Sequence, residues 1–438
     1  MTTQEKYDLA QWAIDFAIKN GANEASVLIA NSSGSNIEVR DEKIDKLEQS
    51  IEKGLTIRLY VKNRFATAAT NRLNKAELES FIIEAINGAQ YLSEDVYRRL
   101  PNPELYYKGG GKDLHIYDPT IESIEPEEKV RIVKAIEQEI LGSDERIISI
   151  SANYWDGYSE RVMMSSNGFK GDHKSSYFGA GASVSVKSGE ARPSAGWYES
   201  SVNFEQLIKK GQGKTALKRA LQKIGQLKLK SEQLPMLVEN EQVARLLSPV
   251  ISALNGASIQ QKNSFLLDKK GQKVFSEKLS LSDDPTIVGA PGSKHFDSEG
   301  LAAVKRPIFE NGVLKNYYID TYYANKMQVD PTTGSTSNLV FKEGENDYEG
   351  IIKKMKRGIF VRGFNGGNAN PTSGDFSYGI EGFLIEDGKL STPINEMNIT
   401  GNMIELWNNI EEIGKDSNAQ SAWRTPSILF SKVDFSGL

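Results

Sequence analysis

The sequence predicts an α+β protein of two domains, residues 1–228 and 229–438, each with a mixed or antiparallel sheet and flanking helices. Three observations lead there. The chain has 438 residues, more than one ordinary hydrophobic core accommodates. Apolar residues recur with a period of 2 in some blocks and 3.6 in others, without the strict strand–helix alternation of a parallel sheet. The second half is richer in Gly, Asn and Thr, so its short segments joined by tight turns predict a C-terminal domain with more strands.

The first helix begins near Thr3 as cap, repeats Leu9, Trp12, Ala13, Phe16 and Ala17 on one face, and ends at Gly21. Alternating segments Glu24–Ala30, Asn36–Arg40, Leu55–Val61 and Phe65–Ala69 read as strands, with Lys62–Asn63–Arg64 as a hairpin turn. A second helix is expected over about Lys75–Leu92. After a long connection, Ser93–Glu125, a third opens on Pro126 and runs to Leu141. Strands return over IISISANYW, SERVMMSS, SYFGAGASVSVKSG and GWYESS, and a long basic helix, Phe204–Ile224, closes the domain.

The second domain opens on the strand Leu234–Val238. Glu310–Asn311–Gly312–Val313 and Glu386–Asp387–Gly388–Lys389 are hairpin turns, because Asn-Gly and Asp-Gly accept the left-handed backbone that primed turns require. Helices are expected at Asn240–Leu254, Tyr318–Lys326, Tyr348–Met355 and Asn402–Ile413.

A net charge of −5 provides no broad field for a phosphate backbone, so nucleic acid is not an expected partner. The basic run Lys209–Lys230 reads as an amphipathic helix whose lysines face water, with Leu217, Ala220, Leu221 and Ile224 as its apolar stripe. The absence of cysteine fits a reducing compartment. The N-terminal stretch is acidic and amphipathic, unlike a signal peptide, and no apolar run approaches the roughly 20 residues of a membrane helix. A cytoplasmic protein is expected.

Catalytic motifs are scarce. Zinc hydrolysis needs clustered imidazoles or thiolates and a carboxylate base. His115, His173 and His295 are the only histidines, are scattered, and read as surface or loop residues. His295 alone lies near acids, so His295, Asp297 and Glu299 form a weak metal candidate for which a loop salt bridge is the plainer reading. Thr372–Ser373–Gly374–Asp375 resembles a reactive loop, yet such clusters are commonly turns. Gly363–Phe364–Asn365–Gly366–Gly367 lacks the Lys-Ser/Thr pair of a phosphate loop and suits close backbone approach, as beside a bound peptide. The pair Asp283–Asp284 reads as solvated.

Three segments carry a family resemblance: FLLDKKGQKVFSEKLSLSDDP (Phe265–Pro285), FDSEGLAAVKRPIFENGVLKNYYIDTYYANKM (Phe296–Met327), and PTSGDFSYGIEGFLIEDGKLSTPINEMNITGNMIELWNNIEEIGKD (Pro371–Asp416). In order and spacing they resemble the TldD/PmbA family, whose PmbA branch is also called TldE and has been described as a modulator of DNA gyrase. The closing GNMIELWNNIEEIG is more similar to the PmbA/TldE branch.

The resemblance implies that TldD-type subunits are zinc metallopeptidases, with an H-E-x-x-x-H motif and a later cysteine ligand, that work with TldE-type partners on small peptides. In this chain the two His positions fall on Ser248 and Ala253, the Glu position on Pro249, and the Cys position near Ser421. Every metal ligand and the general base are replaced. Val243, Leu246, Leu247, Val250, Ile251 and Leu254 still form one helical stripe. Pro249 within it predicts a kink, or a fresh helix start with Ser248 as cap.

The reading at this point is a non-catalytic TldE/PmbA-type subunit with no cofactor of its own. Zinc would reside in a TldD-type partner, and Gly366, Gly367, Thr372, Ser373 and Asp375 would lie near the peptide. A homodimer in isolation is compatible with it. The alternatives are a stand-alone atypical metallopeptidase around His295, Asp297 and Glu299, or a non-enzymatic modulator of DNA gyrase or of a toxin–antitoxin system.

Overall fold

The computed structural model describes residues 1–438. Helix α1 (Thr3–Lys19) is capped one residue earlier than expected: Thr2 Oγ1 accepts from Glu5 N at 3.2 Å, and Glu5 Oε2 accepts from Thr2 N at 2.7 Å. This reciprocal box satisfies two otherwise orphaned donors. Strands β1 (Glu24–Arg40), β2 (Lys43–Val61) and β3 (Arg64–Thr70) follow, then α2 (Lys75–Ala89), α3 (Pro126–Gln138), β4 (Ile147–Ser165), β5 (Lys170–Val186), β6 (Ser194–Ser201) and α4 (Gln212–Gln222).

The six strands form one antiparallel sheet in the order β3-β2-β1-β4-β5-β6. Several segments expected as separate strands are continuous. Ser33, Gly34 and Ser35 pair with Ile51, Ser50 and Gln49, and Gly34 also faces Gly157, so the polar middle of β1 and the glycine in β4 stay within the ladder. Backbone pairing does not require apolar alternation, and the reading by periodicity lost these stretches.

One face of this sheet carries all four helices. Val27, Ile29, Leu55 and Ile57 pack under α1 and α2. Ile37, Val39, Tyr154, Phe178 and Ala180 pack under α3 and α4. The basic helix is shorter than expected. Residues 204–211 are a turn and an irregular stretch ended by Gly211 at φ 96°, and Phe204 packs on Phe178 instead of extending the helix. Lys214 and Lys218 face water, whereas Arg219 and Lys223 pair with Glu239 and Glu381 of the second half.

The second half contains β7 (Glu232–Val238), α5 (Asn240–Ala253), α6 (Gly256–Gln260), β8 (Leu281–Asp283), β9 (Arg306–Glu310), β10 (Val313–Leu314), α7 (Thr321–Met327) and β11 (Leu339–Phe341). Then come α8 (Tyr348–Lys354), β12 (Arg357–Ala369), β13 (Asp375–Glu386), β14 (Lys389–Asn402), α9 (Met403–Asn408), β15 (Ile410–Ile413), β16 (Trp423–Arg424) and β17 (Ile428–Ser436). The fold is α+β, with eleven of its seventeen strands in this half. The larger sheet runs β14-β13-β12-β7-β17-β15, and β14 also pairs with β17, so five strands close into a barrel. Only β7 and β12 pair in parallel there.

The barrel's inward residues, among them Met236, Ile359, Ile380, Ile399 and Phe430, share one core with α5 and the five-stranded sheet β10-β9-β8-β11-β16. Three expectations change here. The last helix stops at Asn408, because Ile410–Ile413 pairs with β17. Helix α7 starts at Thr321, where Asp320 caps it through Tyr323 N at 2.8 Å. Helix α5 runs through Pro249 and does not restart at Ser248, since its buried stripe of Val243, Leu246, Leu247, Val250 and Ala253 holds the register. No helix is long and apolar enough to cross a membrane.

Candidate functional site

Helix α5 is packed by that apolar stripe, and the opposite face is the one available for chemistry. Arg245, Ser248 and Ser252 are exposed there, while Ala253 is fully buried. Ser248 and Ala253 therefore do not share a face. Five residues on a regular helix turn the side chain through about 140°. Pro249 has no N–H for the Arg245 carbonyl.

Three walls surround the start of α5. Its N-cap residue Glu239 is buried and receives Arg219 from α4 at 3.0 and 2.6 Å, and Arg362 of β12 at 3.3 Å. Arg362 also donates to Gln222 Oε1 at 2.8 Å. The carboxyl of Glu241, two residues along and at the surface of the first turn, is pushed up to about 7, first by the crowding of protein around it and then by the charges of Glu239 and Glu199.

The second wall is the turn that carries Ser421. Asn240 donates to the Asp416 carbonyl at 2.6 Å, and Thr425 Oγ1 donates to the Asn240 carbonyl at 2.7 Å, which pins this turn to α5. Gln420 crosses to β6 of the first sheet, accepting from Ser200 N at 2.9 Å and donating to Glu199 at 2.5 Å. The Ser421 hydroxyl is occupied by Trp423 N at 3.1 Å.

The third wall is the β12–β13 hairpin. Gly366 and Gly367, at φ 73° and 80°, form a bulge against β13, and Arg245 donates to the Gly367 carbonyl at 2.8 Å. Strand β7 covers β12 only over Ile359–Val361, so the outer edge beyond Val361 has no strand neighbour. Thr372, Ser373 and Asp375 form an exposed turn tied to Asn370 and Asn402, with Ser373 Oγ on Asp375 Oδ2 at 2.7 Å. Asn402, followed by Ser373, holds the Asp375 carboxyl below its ordinary range.

His295, Asp297 and Glu299 are not brought together as a ligand set, and no group of three or more such donors occurs. The His295 ring stacks on Tyr107 at 5.1 Å. Asp297 is buried and accepts from Glu299 N, Leu301 N and Thr333 Oγ1. Glu299 Oε2 accepts from the backbone and hydroxyl of Thr321, both at 2.9 Å. His115 sits in an exposed turn beside Asp113, but His173 is a partly buried strand residue of β5, not a loop residue. The pair Asp283–Asp284 is buried instead of solvated, because Ser337 N satisfies one carboxylate and Thr286 and Lys305 the other. A hydrolytic zinc does not fit the residues around α5: the positions that the resemblance assigns to its ligands and base carry a hydroxyl, a buried methyl and a proline, and no imidazole or thiol replaces them.

Residues 231–437, 119–224 and 25–89 match, respectively, the C-terminal domain, the central domain and domain 1 of the PmbA/TldA metallopeptidases. A crystal structure from Bacteroides thetaiotaomicron, described as a proposed modulator of DNA gyrase, is 50% identical, with 100% of both chains covered and a TM-score of 0.98. The Haemophilus influenzae metalloprotease PmbA homologue is 27% identical, over 99% of this chain and 96% of its own. The metalloprotease TldD homologue of the same organism is 23% identical, over 84% of this chain and 80% of its own. With all three domains matched in order, and the likeness running the full length of the chain, the protein belongs to the PmbA/TldD family.

Proposed function

We propose that this chain is the TldE/PmbA-type subunit of a TldD/TldE-type metallopeptidase complex, cytoplasmic and non-catalytic alone, built as two units divided near residue 228. The observation that carries this reading is the donor set of α5. Its exposed face offers Glu241, Arg245, Ser248 and Ser252, a single carboxylate with no imidazole or thiol beside it, and so no set of donors able to hold zinc. Greater likeness to the PmbA homologue of Haemophilus influenzae than to its TldD homologue supports the branch.

In this reading the zinc belongs to a TldD-type partner, and this chain's residues bind and orient the peptide. The uncovered edge of β12 beyond Val361 presents backbone donors and acceptors to an extended chain. Arg245 holds Gly367 and the bulge in place. Gln420 and Arg219 lock the surrounding walls, so the contribution is orientation and exclusion of bulk water. A homodimer in isolation is compatible with this reading.

Co-expression with a TldD-type chain, followed by purification and metal quantification, tests this. The expected result is a mixed complex with zinc in the partner only and peptidase activity absent from this chain alone. Stoichiometric zinc in the isolated chain, or active partner unaffected by its presence, would sink it. The description of the Bacteroides protein supports a second reading, direct action on DNA gyrase. Capture of gyrase and no TldD-type chain in the same purification would favour that alternative.

A further inference from the structure

The helix-free face of the first sheet meets the loop Lys294–Gly300, and a set of cations gathers there without carboxylate partners. Cross-strand pairing puts Arg58 opposite Ser26, Met163 opposite Leu28, Arg161 opposite Ala30, and His173 opposite Arg161, all on this face. Phe296, Asp297 and Ser298 lie over it and close a cavity of about 60 Å³, into which Arg58 and Arg161 both project. That space suits a few waters or one compact ion, and is too small for a nucleotide or a length of peptide.

The two arginines are served unequally. Arg58 donates one bond, from Nη1 to the Ser298 carbonyl at 3.3 Å. Arg161 makes no hydrogen bond and no ion pair, and its Nε is sealed from solvent without a partner. The nearest carboxylate in the lining, Asp297, already has its oxygens engaged by Glu299 N, Leu301 N and Thr333. Lys294 adds to the positive surroundings, and His173 records them while itself staying neutral at pH 7: burial first, and then the Arg161, His295 and Lys294 charges, hold it down to about 4. A sealed guanidinium nitrogen without a protein acceptor is costly, and an oxyanion in the cavity would supply that acceptor.

We propose that this cavity is an oxyanion site, in which Arg161 and Arg58 bind a single phosphate or carboxylate group between the two halves of the molecule. A guanidinium fork matches two oxygens of either group. The group has two possible sources, free inorganic phosphate or the carboxylate at the end of a peptide. The proposal stands apart from the partner-subunit reading and needs no metal.

The test uses the full chain in a chloride buffer at constant ionic strength, titrated separately with inorganic phosphate, acetyl-dialanine and acetyl-dialanine amide. Melting temperature and calorimetric heat are read. A saturable rise with phosphate identifies the free anion; a rise with acetyl-dialanine but not its amide identifies a chain end. Arg161→Leu should weaken binding at least tenfold while melting no lower than wild type in the absence of anion, because it removes an unpaired charge. Should that variant fail to fold, Arg58→Gln takes its place, with weakening of at least fivefold expected. No saturable response to either anion, or binding unchanged in the folded variant, overturns the proposal.

Discussion

Arg219 of α4 grips Glu239, the residue that precedes α5, through two parallel bonds of 3.0 and 2.6 Å. The two residues come from different halves of the chain, and both are largely buried. Glu239 also takes Arg362, so two guanidinium groups share one carboxylate. Removing the carboxylate strands both cations, whereas removing Arg219 leaves Arg362 in place. Glu239→Gln should therefore cost about 3 kcal/mol, more than Arg219→Met, as measured by urea unfolding. Equal costs would show that Arg362 takes no part.

Pro249 occupies the interior of α5. The lost hydrogen bond and ring clash cost about 3 kcal/mol in an ordinary helix, and proline recovers about 1 kcal/mol by restricting the unfolded chain. Pro249→Ala should raise stability by about 2 kcal/mol on that difference. A lower melting temperature would mean that the proline shapes the helix for packing.

Placing imidazoles at the two family positions should not create a metal site. Ser248 is exposed and Ala253 is fully buried, so the rings would point to different surroundings. The double variant Ser248→His/Ala253→His should lose at least about 2 kcal/mol through overpacking at Ala253 and bind no zinc by metal analysis. Zinc bound at one equivalent would show that α5 can rotate its buried face outward.

Gly366 and Gly367 share a left-handed backbone but differ in space. A Cβ on Gly366 meets nothing within 4 Å, whereas one on Gly367 would lie 2.1 Å from the Ser377 carbonyl oxygen. Gly366→Ala should cost about 1 kcal/mol for its backbone alone. Gly367→Ala should cost clearly more and release Arg245, observable as faster amide exchange along residues 365–369. Matching losses would place the strain elsewhere.

His173 titrates at about 4, against an ordinary 6.5, with burial the main cause. Between those values the unfolded chain binds the proton and the folded chain does not. This residue's contribution to stability is therefore intact above pH 6.5 and falls as pH drops toward 4. His173→Gln should flatten that part of the melting-temperature profile. An unchanged slope would assign it to other groups.

The legible part of the fold was local. Helix stripes such as Val243–Leu246–Leu247–Val250 and turns such as Asn311–Gly312 follow from spacing and backbone chemistry within a few residues, and both stand in the structure. Polar strand centres were not legible: Asn31–Asn36 pairs with partners 12 to 22 residues away in β2 and over a hundred away in β4, which periodicity cannot register. The same limit hid Asp283, whose burial depends on Ser337, and the strand Ile410–Ile413, which depends on β17.

By itself the sequence determined which donors exist: three imidazoles, no thiols, and a serine, proline and alanine on the helix where zinc ligands are expected. Side-chain chemistry is a property of the residue and needs no coordinates. Only the tertiary structure decided what those residues face. Arg219, Glu239, Arg362, Gln420 and Glu199 meet across separations of about 20 to over 200 residues, and Arg161 is left without a partner by the way a sheet and a distant loop close on it. Ion pairing and burial depend on distance in space, and chain folding alone sets that distance.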